Sequence, residues 1–292
     1  MDTIAQVILS GIAVGGIYAL VAFGFHLTFI TSETLNFAQG SCVMLGAMLA
    51  ITLVQQGWPF PLVFVVVVLA LGGFGALTEV LCVRPIKDRY ASIGWIASTL
   101  GLAIVVDNVA GLVWGTLPIE FPSPLTRRPL HILGAGIYAQ ELLIPLVAVA
   151  AMIGLHQFQK QTMLGKSFKA VAFNQDAAEL MGINGQGMVC LAYALSAAMA
   201  GFGGILIGPI VFPYSTMGTI IGLKAFGVAM IGGLGSAYGI IVCALAFGIL
   251  EFAIARVFST AARDFGGFLL IILVLSRYPT GLFGTWMERK QL

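Results

Sequence analysis

The sequence predicts an all-α, polytopic integral membrane protein, and three observations lead there. Of 292 residues, 59% are apolar and 9% charged, against about 25% charged residues in a soluble domain. The 14 Lys and Arg and 12 Asp and Glu are too few to cover a water-facing globule of this size. A mean hydropathy of +1.02 makes lipid the natural solvent for most of the surface. The same counts exclude a long disordered segment and a soluble enzyme domain, and a net charge of +2 excludes a basic nucleic-acid module. Cys42, Cys82, Cys190 and Cys243 fall in apolar runs without C-x-x-C spacing and read as reduced packing residues.

A helical crossing needs about 20 apolar residues, because lipid offers no partner to an unpaired backbone group. That ruler predicts helices over 4–30, 35–55, 60–83, 91–114, 141–157, 185–208, 217–233, 237–258 and 264–278. Nine crossings result, within a range of about eight to ten. The first run has no Lys or Arg ahead of it and exceeds a signal-peptide core in length, so it is expected to stay as a mature helix. The second follows LNFAQG, a polar segment whose Asn36 and Gln39 could face a path if it unwinds, or cap a helix at the inner interface. After the fourth, residues 115–140 hold four prolines, which fits an ordered extracytoplasmic cap or small hairpin.

The connection over about 158–184 contains a short helix signal. Phe168, Val171 and Ala172 stand at i, i+3 and i+4, and Asp176, Ala177, Ala178 and Leu180 precede a stop at Gly182. It reads equally as a docking element or an interfacial linker. The runs 217–233 and 264–278 are short enough to be half-helices or re-entrant segments. Gly232, Gly233 and Gly235 in close succession predict a turn or unwound backbone. The chain is expected to be one transmembrane domain over 1–292.

Basic residues orient the spans, since cytoplasmic loops retain Lys and Arg. Arg84, Lys87, Arg89, Lys160, Lys166, Lys169, Arg277, Arg289 and Lys290 share one side, against Arg127, Arg128, Arg256 and Arg263 on the other. The N-terminus is therefore expected outside and the C-terminus in the cytoplasm. Of 37 glycines, many stand at G-x-x-x-G spacing: Gly11/Gly15, Gly111/Gly115, Gly204/Gly208, Gly218/Gly222 and Gly235/Gly239. Such pairs let helix backbones approach closely.

Ionisable residues inside spans cost at least ~2.5–3.5 kcal/mol, so each needs a reason. Asp107, Lys224 and Glu251 are all expected in the outer third, where Lys224 could pair with one carboxylate. They read as a polar lining for a path, as a structural ion pair, or as residues near the interface that snorkel to water. Gly165-Lys166-Ser167 superficially resembles a phosphate loop, but Lys160 stands where that motif requires Gly. His26, His131 and His156 are scattered, so no metal site is expected. No spacing suggests a catalytic site, and the chain is expected to be a non-enzymatic subunit with no cofactor of its own.

Three segments together resemble the permease subunits of branched-chain amino acid ABC transporters, the LivH-type family. They are GGIYALVAFGFHLTFITSETLNFAQGSCVMLGAM, LGKSFKAVAFNQDAAELMGIN and GLKAFGVAMIGGLGSAYGIIVCALAFGILE, followed by the closing YPTGLFG. The resemblance covers nearly the whole chain in order. It implies the ABC importer permease fold with broken or re-entrant segments, in a bacterial inner membrane. It implies a second homologous permease, two cytoplasmic ATPase subunits that hold ATP and Mg, and a periplasmic binding protein, with no nucleic acid. Gly165, Lys166, Phe168, Lys169, Ala170, Asn174, Ala177, Ala178, Gly182 and Ile183 then fall on the segment that couples to the ATPase. Asn36, Phe37, Gln39, Gly40, Lys224, Gly232, Gly233 and Gly235 match two further family segments, and Asn36, Gln39, Asp107, Lys224, Gly232, Gly233 and Glu251 are the candidate path residues. Gln39 replaces a frequent His and Asp107 a usual uncharged polar residue, which leaves the solute open among aliphatic amino acids, urea, amides and aromatic or carboxylic acids. Outside this family, an ion-coupled secondary transporter using Asp107 or Glu251, or a passive channel, would also fit the residues.

Overall fold

The computed structural model describes residues 2–86, 93–121, 129–132, 135–259 and 262–284. The elements are α1 (Asp2–Ser32), α2 (Gln39–Gln55), α3 (Phe60–Thr78) continued by a π-helical turn (Glu79–Val83), α4 (Gly94–Trp114), β1 (Pro129–Ile132), β2 (Ala135–Tyr138), α5 (Ala139–Gln161), α6 (Met163–Phe173), α7 (Gln175–Leu180), α8 (Gly185–Val211), α9 (Met217–Gly232), α10 (Ala237–Val257) and α11 (Ala262–Arg277). Every apolar run of the sequence has its helix. Among the described residues six helices are long and apolar enough to cross a membrane, namely α1, α3 with its π turn, α4, α5, α8 and α10. The helices α2, α9 and α11 have 17, 16 and 16 residues and fall short of a full crossing.

The expected short members at 217–233 and 264–278 are therefore joined by a third. Helix α2 begins at Gln39, not at 35, because the chain leaves α1 through Glu33 at φ 54° and stays non-helical through Ala38. In the proline-rich connection β1 and β2 form an antiparallel hairpin, with Pro129 opposite Tyr138 and Ile132 opposite Ala135. Lys87, Arg89, Arg127, Arg128, Arg289 and Lys290 lie outside the described residues, as do the side chains of His131 and His156.

Helix α1 is the axis of the bundle, packed against α5, α8, α9 and α10. It runs antiparallel to α10: Gly11 meets Ile249 near one end and His26 Nδ1 lies 2.7 Å from the Leu234 carbonyl near the other. Helices α2 and α8 run parallel, with Gln39 beside Ser196 and Ala47 beside Gly208, as strict alternation of the nine helical runs requires. The end that carries α6 and α7 is called the inner end below. Lipid is as apolar as leucine, so these contacts rest on close packing, which small residues permit. A Cβ on Gly11, Gly15 or Gly248 would strike the facing backbone of the α1–α10 pair, and one on Gly218 or Gly222 would strike Gly40 of α2. The Gly111/Gly115 pair differs: a Cβ on Gly115 would meet nothing within 4 Å, and Gly115 ends α4 at φ 83°.

Helices α2 and α8 also cross closely. A Cβ on Gly46 would sit 2.6 Å from the Gly201 Cα and overlap its carbonyl oxygen, and backbone cannot rotate aside as a side chain can. Gly46→Ala is therefore expected to lower stability by about 1–3 kcal/mol, read as a lower Tm in detergent. Gly73→Ala is the control, because Gly73 has nothing within 4 Å of an added Cβ. Equal Tm values for the two variants would contradict the close crossing.

Candidate functional site

The Gly40 contact with Gly218 and Gly222 brings the first turns of α2 and α9 together. Each turn carries a hydroxyl, Ser41 on α2 and Thr219 on α9, and both face Asp107 on α4. Ser41 Oγ donates to Asp107 Oδ1 at 2.7 Å and Thr219 Oγ1 donates to Oδ2 at 2.9 Å. Asp107 lies about two turns before the end of α4 at Trp114.

Two cavities meet at this carboxylate. The more enclosed one, about 110 Å³, is lined by the polar Ser41, Asp107 and Thr219 and by the apolar Phe25, Phe37 and Phe226. Those three rings form one wall, with Phe226 edge-on to Phe37 at 5.3 Å and to Phe25 at 5.6 Å between centroids. The other, about 340 Å³ and more open, is bounded by Asp107, Asn108, Thr116, Ser215 and Thr216 together with Gly111 and Leu112. The two cavities share Asp107, which stands between an open hollow carrying hydroxyl and amide groups and a chamber walled by phenylalanines, a layout that suits a solute with one polar and one apolar end.

The other intramembrane charges are elsewhere. Lys224 pairs with Glu251 and, at 2.6 Å, with Asp264. Arg263 and Tyr18 add bonds to Glu251 at 3.0 and 2.8 Å. Of the readings held for Lys224 and Glu251, their geometry is that of a structural network joining α1, α9, α10 and α11, and neither residue lines the cavities. A buried carboxylate that sequence reasoning passed over, Glu79, is paired with Arg84 at 2.7 Å in the π turn.

Asn36 and Gln39 also stand apart from the cavities. Gln39 is fully buried and knots three helices: its Nε2 donates to the Ser196 carbonyl at 3.0 Å, while Ser196 Oγ lies 2.9 Å from both Gln39 Oε1 and the Gly24 carbonyl. Asn36 Oδ1 accepts the Ala38 amide at 3.0 Å and so helps start α2. Their neighbours Phe37, Gly40 and Ser41 line the chamber instead. Gly232 and Gly233 form the expected turn between α9 and α10, where Gly233 has φ 82°. That turn packs against Ile240 and Gly284 at the inner end, and the Leu282 amide donates to the Ile231 carbonyl at 2.7 Å.

The segment after α5 has two faces. Side-chain caps start its helices: Thr162 Oγ1 accepts from the Gly165 amide at 2.9 Å and Asn174 Oδ1 from the Ala177 amide at 3.0 Å. Gly165 packs against the backbone of Phe158 and Gln159, and Phe168, Val171 and Ala178 are buried, which anchors the segment to the bundle. Lys166, Lys169, Ala177 and Gly182 lie on the open side, with Ala170 half-buried. Beyond them project Phe173, Leu180 and Met181, exposed by 86%, 90% and 84%.

A family profile described as "Branched-chain amino acid transport system / permease component" matches residues 7–276. The chain belongs to this family. The high-affinity branched-chain amino acid transport system permease protein LivH of Escherichia coli is 29% identical to this permease over 295 residues, 96% of this chain and 95% of LivH. The counterpart BraD of Pseudomonas aeruginosa is 30% identical over 96% of this chain and 95% of BraD. A solved chain of PsaBC from Streptococcus pneumoniae, in complex with a Fab, shares the fold, with a TM-score of 0.52 over 99% of this permease and 96% of its own length at 12% identity. Sequence reasoning missed Ser41 and Thr219, because the partners of Asp107 stand 66 and 112 residues away and no spacing signals them.

Proposed function

We propose that this permease is the membrane-spanning subunit of an ATP-binding cassette importer. It moves a small amphipathic amino acid, with branched-chain amino acids first among the solutes, into the cytoplasm by alternating access. The observation that carries this reading is the two-faced α6–α7 segment. One side is anchored in the bundle and the other presents Phe173, Leu180 and Met181 to the inner aqueous side, where bare apolar side chains need a partner. The family relationship supplies the partner's class, and the relatives' transport of branched-chain amino acids supplies the solute.

The working assembly is this chain, a second homologous permease, two cytoplasmic ATPase subunits that hold ATP and Mg, and a periplasmic binding protein. It sits in a bacterial inner membrane with the C-terminus of this chain in the cytoplasm. Closure of the ATPase dimer moves α6 and α7, and through Phe168 and Gly165 it moves α1 and α5. The energy shifts an equilibrium between outward- and inward-open states, so ATP and the loaded binding protein must each favour one of them. This subunit makes and breaks no covalent bond.

Uptake of radiolabelled L-leucine into vesicles carrying the assembly, with the binding protein added outside, tests the reading. Uptake is expected to need ATP on the inside and to survive ionophores that collapse ion gradients. Uptake that ignores ATP and falls with the gradient would make the chain a secondary transporter.

A further inference from the structure

Two acidic side chains buried at membrane depth have resident cations: Glu79 has Arg84, and Glu251 has Lys224 and Arg263. Asp107 differs. Among the described residues no Lys, Arg or His forms an ion pair with it, and its two oxygens are held by the neutral hydroxyls of Ser41 and Thr219. A carboxylate carried into a membrane span without a cation is costly, and such residues mark solute or ion pathways. Asp107 is also the residue that lines both cavities. Beside it, three phenylalanine rings supply apolar surface.

We infer that Asp107 is the recognition residue for a positively charged nitrogen on the transported solute, with the apolar part of that solute lying against Phe25, Phe37 and Phe226. Ser41 and Thr219 are its positioning residues: donating to opposite oxygens, they fix the carboxylate plane and turn it to the cavity. The geometry separates solute classes that the sequence left together. An ammonium- or amidinium-bearing solute completes the ion pair. Urea and simple amides bring no charge, and a carboxylic acid lacking an amine brings the wrong one. The inference rests on the reading of the chain as a solute-carrying permease, and it goes further by assigning the residue that recognises the positive nitrogen of what is carried.

The test uses the natural permease pair in detergent with two probes that share an isobutyl group and differ in charge, isoamylamine and isovalerate. Isoamylamine is expected to raise the Tm and isovalerate to leave it unchanged. In D107N, an isosteric change, the isoamylamine shift is expected to vanish. In vesicles carrying the whole assembly, D107N is expected to lower L-leucine uptake about thirtyfold, the size that accompanies loss of one partner from a desolvated charge pair. Equal protection by both probes, or undiminished L-leucine uptake by D107N, would overturn the inference and make Asp107 a structural hydrogen-bond acceptor. The Tm series needs no ATPase, so it decides the charge preference even where the vesicle experiment refutes the importer. Should D107N fail to accumulate, the two probes on the natural protein decide alone.

Discussion

Glu251→Gln is expected to destabilise the permease by about 3 kcal/mol, the lower end of what removing one partner from a buried ion pair costs. The size follows from what the carboxylate holds. Glu251 is 1% exposed and receives Lys224, Arg263 and Tyr18, which come from α9, the start of α11 and α1. Amide replacement keeps the shape and removes the charge, so Lys224, itself 2% exposed, loses its buried counter-ion and keeps only Asp264. That remaining contact is why the lower end of the range applies. The Asp264 side chain is 57% exposed, and Asp264→Asn is expected to cost no more than about 1 kcal/mol, in line with solvent-screened pairs. Thermal unfolding of the purified chain in detergent compares the two. A larger loss for Asp264→Asn would mean that Lys224 is neutralised chiefly from α11.

The double variant L180E/M181E is expected to abolish ATP-driven uptake while the permease folds and inserts as before. Both side chains are largely exposed at the inner end, so charging them leaves the bundle core untouched. At a partner interface the same change buries two unpaired carboxylates, and association with the ATPase subunits should weaken by about thirtyfold or more. The measurement is retention of the ATPase on tagged permease, alongside Tm. Phe168→Ala separates docking from anchoring: Phe168 is 1% exposed, and its loss is expected to cost about 3–5 kcal/mol of stability. Full retention of the ATPase by L180E/M181E would remove this face from the coupling contact.

Much of the architecture was legible because it depends on local rules. The nine apolar runs, the hairpin after α4, the break after Gly232 and the short helices after α5 each follow from run length, proline content, glycine clustering or capping residues. The start of α2 was not legible. Its position depends on Gln39 being held against Ser196, 157 residues away in the chain, and against Gly24 of the preceding helix. The charges show the same division. That Asp107, Lys224 and Glu251 needed partners was plain from composition, but which partner each found was not. Lys224 and Glu251 close on each other with Asp264 and Arg263 around them, and Asp107 is left to hydroxyls and a cavity.

The sequence by itself determined that the chain lives in lipid, where its helices run and that one loop segment is two-faced, since transfer energy and helix periodicity act over a few neighbouring residues. Only the tertiary structure decided that of three intramembrane charges two neutralise each other and one faces a cavity. Pairing is settled by which helices the glycine contacts allow to touch, and Gly40 of α2 meets Gly218 of α9 with six intervening helices between them in the chain.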